Sequence, residues 1–168
     1  MEKTAIIYSF NTVKTAKIAE NIIEGFAPEN IEAVNAEVIT AAVFLSFRNL
    51  ILGIPTWFDG ELPNYWDEFI PELEELDLSG KKVALFGLGD QKNYGENFID
   101  GVGLLGTLLE GRGAVLTGFT SINDYSFESS KALRGDKFMG LAIDFENQAS
   151  RNKERIAGWV DQLRTEFS

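Results

Sequence analysis

The sequence contains no cysteine and no histidine. Without thiols, disulfides, thiol nucleophiles, iron–sulfur ligation and thiolate zinc sites are excluded. Without imidazole, the commonest general acid–base group and metal ligand are gone, so Ser-His-Asp and Cys-His chemistry cannot occur. Redox work by such a chain needs a bound organic cofactor to carry the electrons. Long apolar runs are missing too: no stretch reaches 18 residues, and Met1-Glu2-Lys3-Thr4 leads straight into the short run Ala5–Tyr8. Neither a membrane span nor a signal peptide is expected, so the chain reads as cytoplasmic, or as the mature form in an equivalent compartment. Bases are scarce. Lys and Arg number 15 against 26 Asp and Glu, a net charge of −11 that argues against nucleic acid or an anionic membrane as partner. No Lys or Arg lies between Arg48 and Lys81, whereas Asp59, Glu61, Asp67, Glu68, Glu72, Glu74, Glu75 and Asp77 all do. That run reads either as a solvated helix face or as a docking surface for a basic partner.

What the chain does have is alternation. With 168 residues, 45% of them hydrophobic, it reads as one globular domain over 1–168. Thr4–Tyr8 is expected to be a buried strand. An amphipathic helix over Lys14–Phe26 follows, with Ile18, Ile22 and Phe26 at four-residue spacing. Ile31–Ile39 reads as a weaker strand and Ala41–Leu45 as a short helix. Leu50–Ile54 is a second apolar strand, stopped by Pro55, and an acidic helix is expected over Asn64–Glu75. Lys82–Gly87 is a third strand, followed by a helix over Asn97–Gly111 and a strand over Val115–Phe119. The last helix, Asn152–Phe167, sets Ile156, Trp159, Val160, Leu163 and Phe167 on one face. Continuous apolar strands alternating with amphipathic helices imply a three-layer α/β domain, its parallel sheet covered on both faces. Thr120–Lys137 breaks the alternation, and Phe138–Ile143 reads as strand again. An insertion over about 120–139 that splits the fifth strand accounts for both, since long structureless loops are uncommon in compact domains.

In an open parallel sheet, ligands bind beyond the carboxyl ends of the strands, so three loops are candidates. Ser9-Phe10-Asn11-Thr12-Val13-Lys14-Thr15 sets hydroxyls and an amide beside the free N–H groups of a helix start, which suits a phosphate monoester. Helix capping alone selects the same residue types. The loop has no glycine, so dinucleotide and P-loop chemistry fit poorly. Pro55-Thr56-Trp57-Phe58-Asp59-Gly60 places Trp57 at a strand end, where it either presents a face to a planar ligand or packs on the core edge. Leu88-Gly89-Asp90, through Tyr94 to Asn97-Phe98, supplies a second aromatic on a glycine-bearing loop. Together the loops give a phosphate site and two aromatic walls on one rim, which suits a flavin nucleotide.

Pro55-Thr56-Trp57 with Gly60-Glu61-Leu62, Gly89-Asp90-Gln91 with Tyr94 and Asn97-Phe98, and Gly140-Leu141-Ala142-Ile143-Asp144 with Asn147-Gln148 resemble the motifs of long-chain flavodoxins. The resemblance covers essentially the whole chain. It implies a doubly wound sheet of five parallel strands in order 2-1-3-4-5, and one non-covalently bound flavin mononucleotide (FMN). It further implies that Trp57 and Tyr94 flank the flavin ring and that Ser9–Thr15 holds the phosphate. Thr56–Gly60 and Leu88–Asp90 would bond the ring edge through backbone groups, with Asp144 reaching the ribityl chain. The implied function is low-potential one-electron transfer between redox enzymes by a monomer with no catalytic residues. Its partners would be flavodoxin/ferredoxin reductases and low-potential donors or acceptors with basic docking surfaces, with no nucleic acid and no membrane. An NAD(P)H-quinone reductase of the same fold is the alternative; it needs a substrate pocket and a hydride-donor site, for which no residue set is apparent. A phospho-receiver would need clustered acids after the first strand, where this chain has Tyr8-Ser9.

Two departures from the family pattern stand out. Phe10 and Val13 occupy positions where the family usually has a hydroxyl residue and a glycine, leaving Thr12, Thr15 and backbone N–H groups to hold the phosphate. Lys14 either adds positive charge there or lies on the helix surface. In the family, the carbonyl after the Trp bonds the reduced flavin, often after a peptide flip. With Phe58 and Asp59 at that turn, a flip costs roughly 1–2 kcal/mol of backbone strain.

Overall fold

The computed structural model describes residues 3–168. In chain order the elements are β1 (Thr4–Tyr8), α1 (Lys14–Phe26), β2 (Ile31–Asn35), α2 (Ala41–Leu45), β3 (Asn49–Gly53), α3 (Asn64–Asp67), α4 (Ile70–Leu73) and β4 (Lys82–Leu88). They continue with α5 (Asp100–Gly111), β5 (Val115–Thr117), β6 (Thr120–Ser121), β7 (Leu133–Arg134), β8 (Lys137–Phe138), β9 (Leu141–Ile143), α6 (Phe145–Gln148) and α7 (Asn152–Glu166). The main sheet is parallel in the order β2-β1-β3-β4-β5, with β9 also on β4. The expected order and three layers are present.

Strand alternation divides the core. Ala5, Ile7, Leu50, Leu52, Val83 and Leu85 pack with Trp66, Phe69, Leu73, Val102 and Leu105 of the α3–α5 side. Ile6, Tyr8, Ile51, Ala84 and Phe86 pack with Ile18, Ile22, Ile156, Trp159 and Leu163 of α1 and α7. Because β1 and β3 are buried along their whole length, neither shows a polar alternation, as expected for inner parallel strands.

The fifth strand is split, as the sequence suggested. β5 pairs with Lys82–Ala84 and β9 with Phe86–Leu88, so two short strands share the edge of β4. Phe138–Ile143 is not one strand, however. Phe138 belongs to β8 in a small antiparallel sheet with β6 and β7. Gly140 makes the join, so close to β4 that a Cβ on it would lie 2.1 Å from the Leu85 carbonyl oxygen.

Other boundaries differ for local reasons. The strand expected to reach Ile39 stops at Asn35, whose side chain accepts from the Glu37 N–H (3.1 Å) and starts a 3₁₀ turn. The acidic helix expected over Asn64–Glu75 is two short helices, because Pro71 has no N–H for a continuous ladder. The helix expected from Asn97 begins at Asp100, since Ile99 sits at a left-handed φ of 45°. Trp66 pins α3 under β3, donating its indole N–H to the Gly53 carbonyl (3.1 Å). These features hold the carboxyl ends of β1, β3, β4 and β9 along one rim.

Candidate functional site

A cleft of about 860 Å³ opens on that rim, within the size range of small-molecule sites. Thr12, Val13, Lys14 and Thr15 line it from the first loop, Pro55 to Phe58 from the second, and Leu88 to Asp90, Tyr94 and Asn97 from the third. Phe145 and Glu146, which the sequence reading missed, line it from a fourth.

In the first loop the polar side chains are largely committed to the loop itself. The Thr12 hydroxyl donates to the Ser9 carbonyl (2.8 Å) and accepts from the Ala16 N–H (3.2 Å), capping α1. Its proton therefore serves the turn. Ser9 is buried, and its hydroxyl accepts from the Asn11 N–H (3.3 Å). Phe10 leans on Tyr8, ring centroids 5.0 Å apart, and its N–H donates to Asn35 (3.3 Å). Asn11 donates its side-chain amide to the Glu37 carboxylate. Ser9, Phe10 and Asn11 thus lie outside the cleft lining, drawn toward β2. What the loop offers the cleft is the start of α1, where the Lys14 and Thr15 N–H groups precede the first intrahelical carbonyl. The Ala16 N–H is already taken by Thr12 and the Lys17 N–H by the Val13 carbonyl (3.1 Å).

The second loop folds back on itself. Trp57 and Glu61 exchange two backbone hydrogen bonds, each 2.7 Å, closing a tight turn with φ of 49° at Phe58 and 88° at Gly60. Phe58 is 75% exposed at its tip. Gly60 is buried behind the turn, where a Cβ would come within 2.7 Å of Asn97 and Asp100. Asp59 is exposed on its outer side. Neither Asp59 nor Gly60 lines the cleft, because the turn presents Trp57 and Phe58 to it. Thr56 ties the loop to α5, its hydroxyl accepting from the Gly101 N–H (3.0 Å). Trp57 is held edge-on by Tyr65, at 6.1 Å and 87°. Burial, with the Glu37 charge adding to it, raises the Tyr65 phenol well above its usual range.

The third loop is organised by two carboxylates. Asp90 accepts from the Lys92 and Asn93 N–H groups (3.1 and 3.0 Å), from the Asn93 side chain (2.9 Å) and from Asn147 (2.9 Å). Partial burial works against its charge, but these hydrogen bonds outweigh it and hold the carboxyl below the usual range. Tyr94 follows, its N–H on the Asp90 carbonyl (2.9 Å) and its side chain 61% exposed. Asp144 is fully buried at 0% exposure. It accepts from the Gln91 N–H and side chain (3.0 and 2.8 Å) and from the Asn147 N–H and side chain (3.0 and 2.9 Å). Asp144 therefore lies beneath the cleft lining, where its carboxylate ties the third loop to the fourth. The sequence did hold a signal for the fourth loop. Asp144 with Asn147 three residues on is a helix N-cap pattern after a strand end, which puts Phe145 and Glu146 on the rim.

Across the cleft lip, Lys14 of α1 forms an ion pair with Glu146 of α6. The insertion backs the third loop: Ser126 N–H donates to Gln91 (2.6 Å), and Glu128 and Ser129 N–H groups to the Gly95 carbonyl (2.8 and 3.0 Å). Among the described residues no cluster of acidic side chains is suited to a metal ion, and no helix is long and apolar enough to cross a membrane.

The arrangement can seat a planar, phosphate-bearing ligand between Trp57 and Tyr94. Comparison with known proteins agrees with that reading. The family profile described as flavodoxin matches residues 6–159. A flavodoxin of Trichodesmium erythraeum is 41% identical over 170 aligned positions, covering 99% of each chain. Flavodoxin 1 of Escherichia coli is 39% identical over 168, covering 99% of this chain and 96% of its own. The crystal structure of Fusobacterium nucleatum flavodoxin bound to flavin mononucleotide superposes with a TM-score of 0.94 at 33% identity, over all of both chains. With sequence and fold matching over essentially its whole length, the chain belongs to the flavodoxin family.

Proposed function

We propose that this protein is an electron carrier that holds one FMN non-covalently in the rim cleft and passes single electrons between redox enzymes. The observation that supports this most directly is the pairing of Trp57 and Tyr94 on opposite loops, beside a helix start and without catalytic groups. When bound, FMN supplies reversible one-electron chemistry. The residues supply the rest. The first turn of α1, with Thr15 and Lys14, meets the phosphate through N–H groups and one positive charge. Trp57 and Tyr94 exclude water from the two faces of the ring. Backbone groups of Thr56–Phe58 and Leu88–Asp90 hold its polar edge. Asp59, Glu61 and Asp90 bring negative charge to the same rim, which disfavours adding further negative charge and pushes the second reduction to low potential.

The acids also define the partners. Basic docking surfaces, such as those of flavodoxin/ferredoxin reductases and low-potential donors or acceptors, complement them and give transient, salt-sensitive association. The protein acts as a cytoplasmic monomer of one domain, with no nucleic-acid or membrane partner. The test is an absorbance spectrum of the purified protein with the released cofactor identified, followed by anaerobic stepwise reduction. One FMN per chain, reduced in two separate one-electron steps, is expected. A colourless chain that does not take up added FMN would overturn the reading, and rapid turnover with NAD(P)H alone would replace the carrier with a flavoenzyme.

A further inference from the structure

Glu146 is an unexpected neighbour for an anion site. It lines the cleft in which the first turn of α1 is also exposed, and it places a carboxylate where a phosphate would be drawn. Its position is fixed from below. Asp144, held by four N–H donors, caps α6 and sets Phe145 and Glu146 at the lip. On the other side, Lys14 is the first residue of α1. The strands that carry these residues, β1 and β9, are separated by β3 and β4, a span of roughly 14 Å at about 4.8 Å per strand. The ion pair therefore crosses the tops of β3 and β4 on the α1 side of the cleft.

Lys14 is the only Lys or Arg among the residues lining the cleft. One ammonium thus faces two claimants: the Glu146 carboxylate and any phosphate at the α1 end. Both partners of the pair are half exposed, at 55% and 51%, so the pair is weak and readily exchanged. We propose that Glu146 is a specificity-determining residue that competes with the cofactor's phosphate for Lys14, closing the lip when the phosphate site is empty and releasing the lysine when it fills. A phosphate monoester carries more charge than a carboxylate and also meets the α1 N–H groups, so it displaces Glu146. The apparent affinity is lowered by the fraction of chains in which Lys14 is engaged. Phosphate-free ligands do not open the pair and are not penalised by it. The inference rests on the reading that a phosphate docks at α1.

The test compares FMN, riboflavin and inorganic phosphate as ligands of the cofactor-free chain, by flavin fluorescence quenching for the first two and by Trp fluorescence for phosphate. Glu146→Gln is expected to tighten FMN and inorganic phosphate about two- to five-fold at low salt, the range of an exposed ion pair. Riboflavin affinity is expected to stay unchanged, and the effect to fade at about 0.5 M salt. In a Lys14→Met background, which itself weakens FMN and phosphate, the benefit of Glu146→Gln is expected to shrink. An equal gain for riboflavin would overturn the proposal, since the substitution would then have reshaped the cleft. Full gain in the Lys14→Met background would also overturn it, leaving direct repulsion with no exchange; so would no gain at all. Should the wild type bind neither flavin, the carrier reading fails, while the phosphate titration still decides the exchange.

Discussion

Phe58 adopts a φ of 49° at the tip of the turn closed by Trp57 and Glu61, a region that bulky residues enter only at a cost. Three-quarters of the side chain is exposed, so little packing offsets that strain. Replacing it by glycine removes the strain but adds freedom to the unfolded chain. The balance favours Phe58→Gly by about 0.5–1 kcal/mol in urea unfolding of the cofactor-free protein. The same relief frees the peptide after Trp57 to turn, so the two one-electron midpoints of the loaded protein are expected to move further apart. A glycine variant that is less stable, with unmoved potentials, would show that the turn is unstrained. Asp90 gives a prediction in pH. Its folded pKa is depressed, so its contribution to stability is present above the unfolded value of about 3.9 and is lost as pH falls through the folded one. Asp90→Asn is therefore expected to be less stable than wild type at pH 7, with the two curves converging below about pH 4. A gap that stays constant down to pH 2.5 would mean the hydrogen-bonded carboxylate is not what the loop depends on.

Among the elements, β9 depends on one close approach. Gly140 is not at a positive φ, yet a Cβ would meet the Leu85 carbonyl oxygen at 2.1 Å. Neither backbone can yield without parting β9 from β4. Gly140→Ala is expected to cost about 3 kcal/mol, at the upper end of overpacking effects, and to raise hydrogen exchange at Gly87 and Gly89, whose amides face β9, rather than at Lys82–Ala84. Uniform exchange along β4 would contradict a local break. This join also shows what was legible in the sequence. β1, β3 and β4 are continuous apolar runs, and such runs mean inner parallel strands whatever surrounds them. The split edge is visible only as a break in pattern, because where β9 begins is set by contact with Leu85, far away in the chain. The same contrast holds in the site. Trp57 and Tyr94 both line the cleft, but each taken alone reads equally as an aromatic packed on the core edge, and only the fold brings their loops to one rim. Ser9 and Asn11 bond within their loop and to Glu37, since a short polar side chain is as readily bonded to nearby protein groups as to a ligand. Glu146 was hidden because a single exposed glutamate carries no pattern until the fold places Lys14 across from it.

At the scale of the whole molecule, charge has a direction. The acids between Arg48 and Lys81 are all exposed, and they run from the Trp57 turn along α3 and α4. At the amino end of β4, Lys81 donates to the Leu45 and Phe47 carbonyls (2.7 and 2.6 Å) and Lys82 to the Glu166 carbonyl (2.8 Å). Those lysines bond carbonyls at the ends of α2 and α7, away from the cleft lining. Two effects of the same charges can then be separated. Asp59 and Glu61 sit at the Trp57 turn, whereas Glu72, Glu74 and Glu75 lie along the flank, where water screens them from the cleft but not from an approaching protein. Neutralising the flank (Glu72→Gln with Glu74→Gln and Glu75→Gln) is expected to flatten the salt dependence of association with a basic reductase, leaving both midpoints where they were. Neutralising the turn (Asp59→Asn with Glu61→Gln) is expected to flatten that dependence too, and to raise the second midpoint by on the order of tens of millivolts. Stopped-flow rates between about 20 and 500 mM salt, set beside anaerobic potentials, decide it. If both sets shift the second midpoint equally, the low potential belongs to the net charge of the molecule, and the acids at the turn have no special part in it.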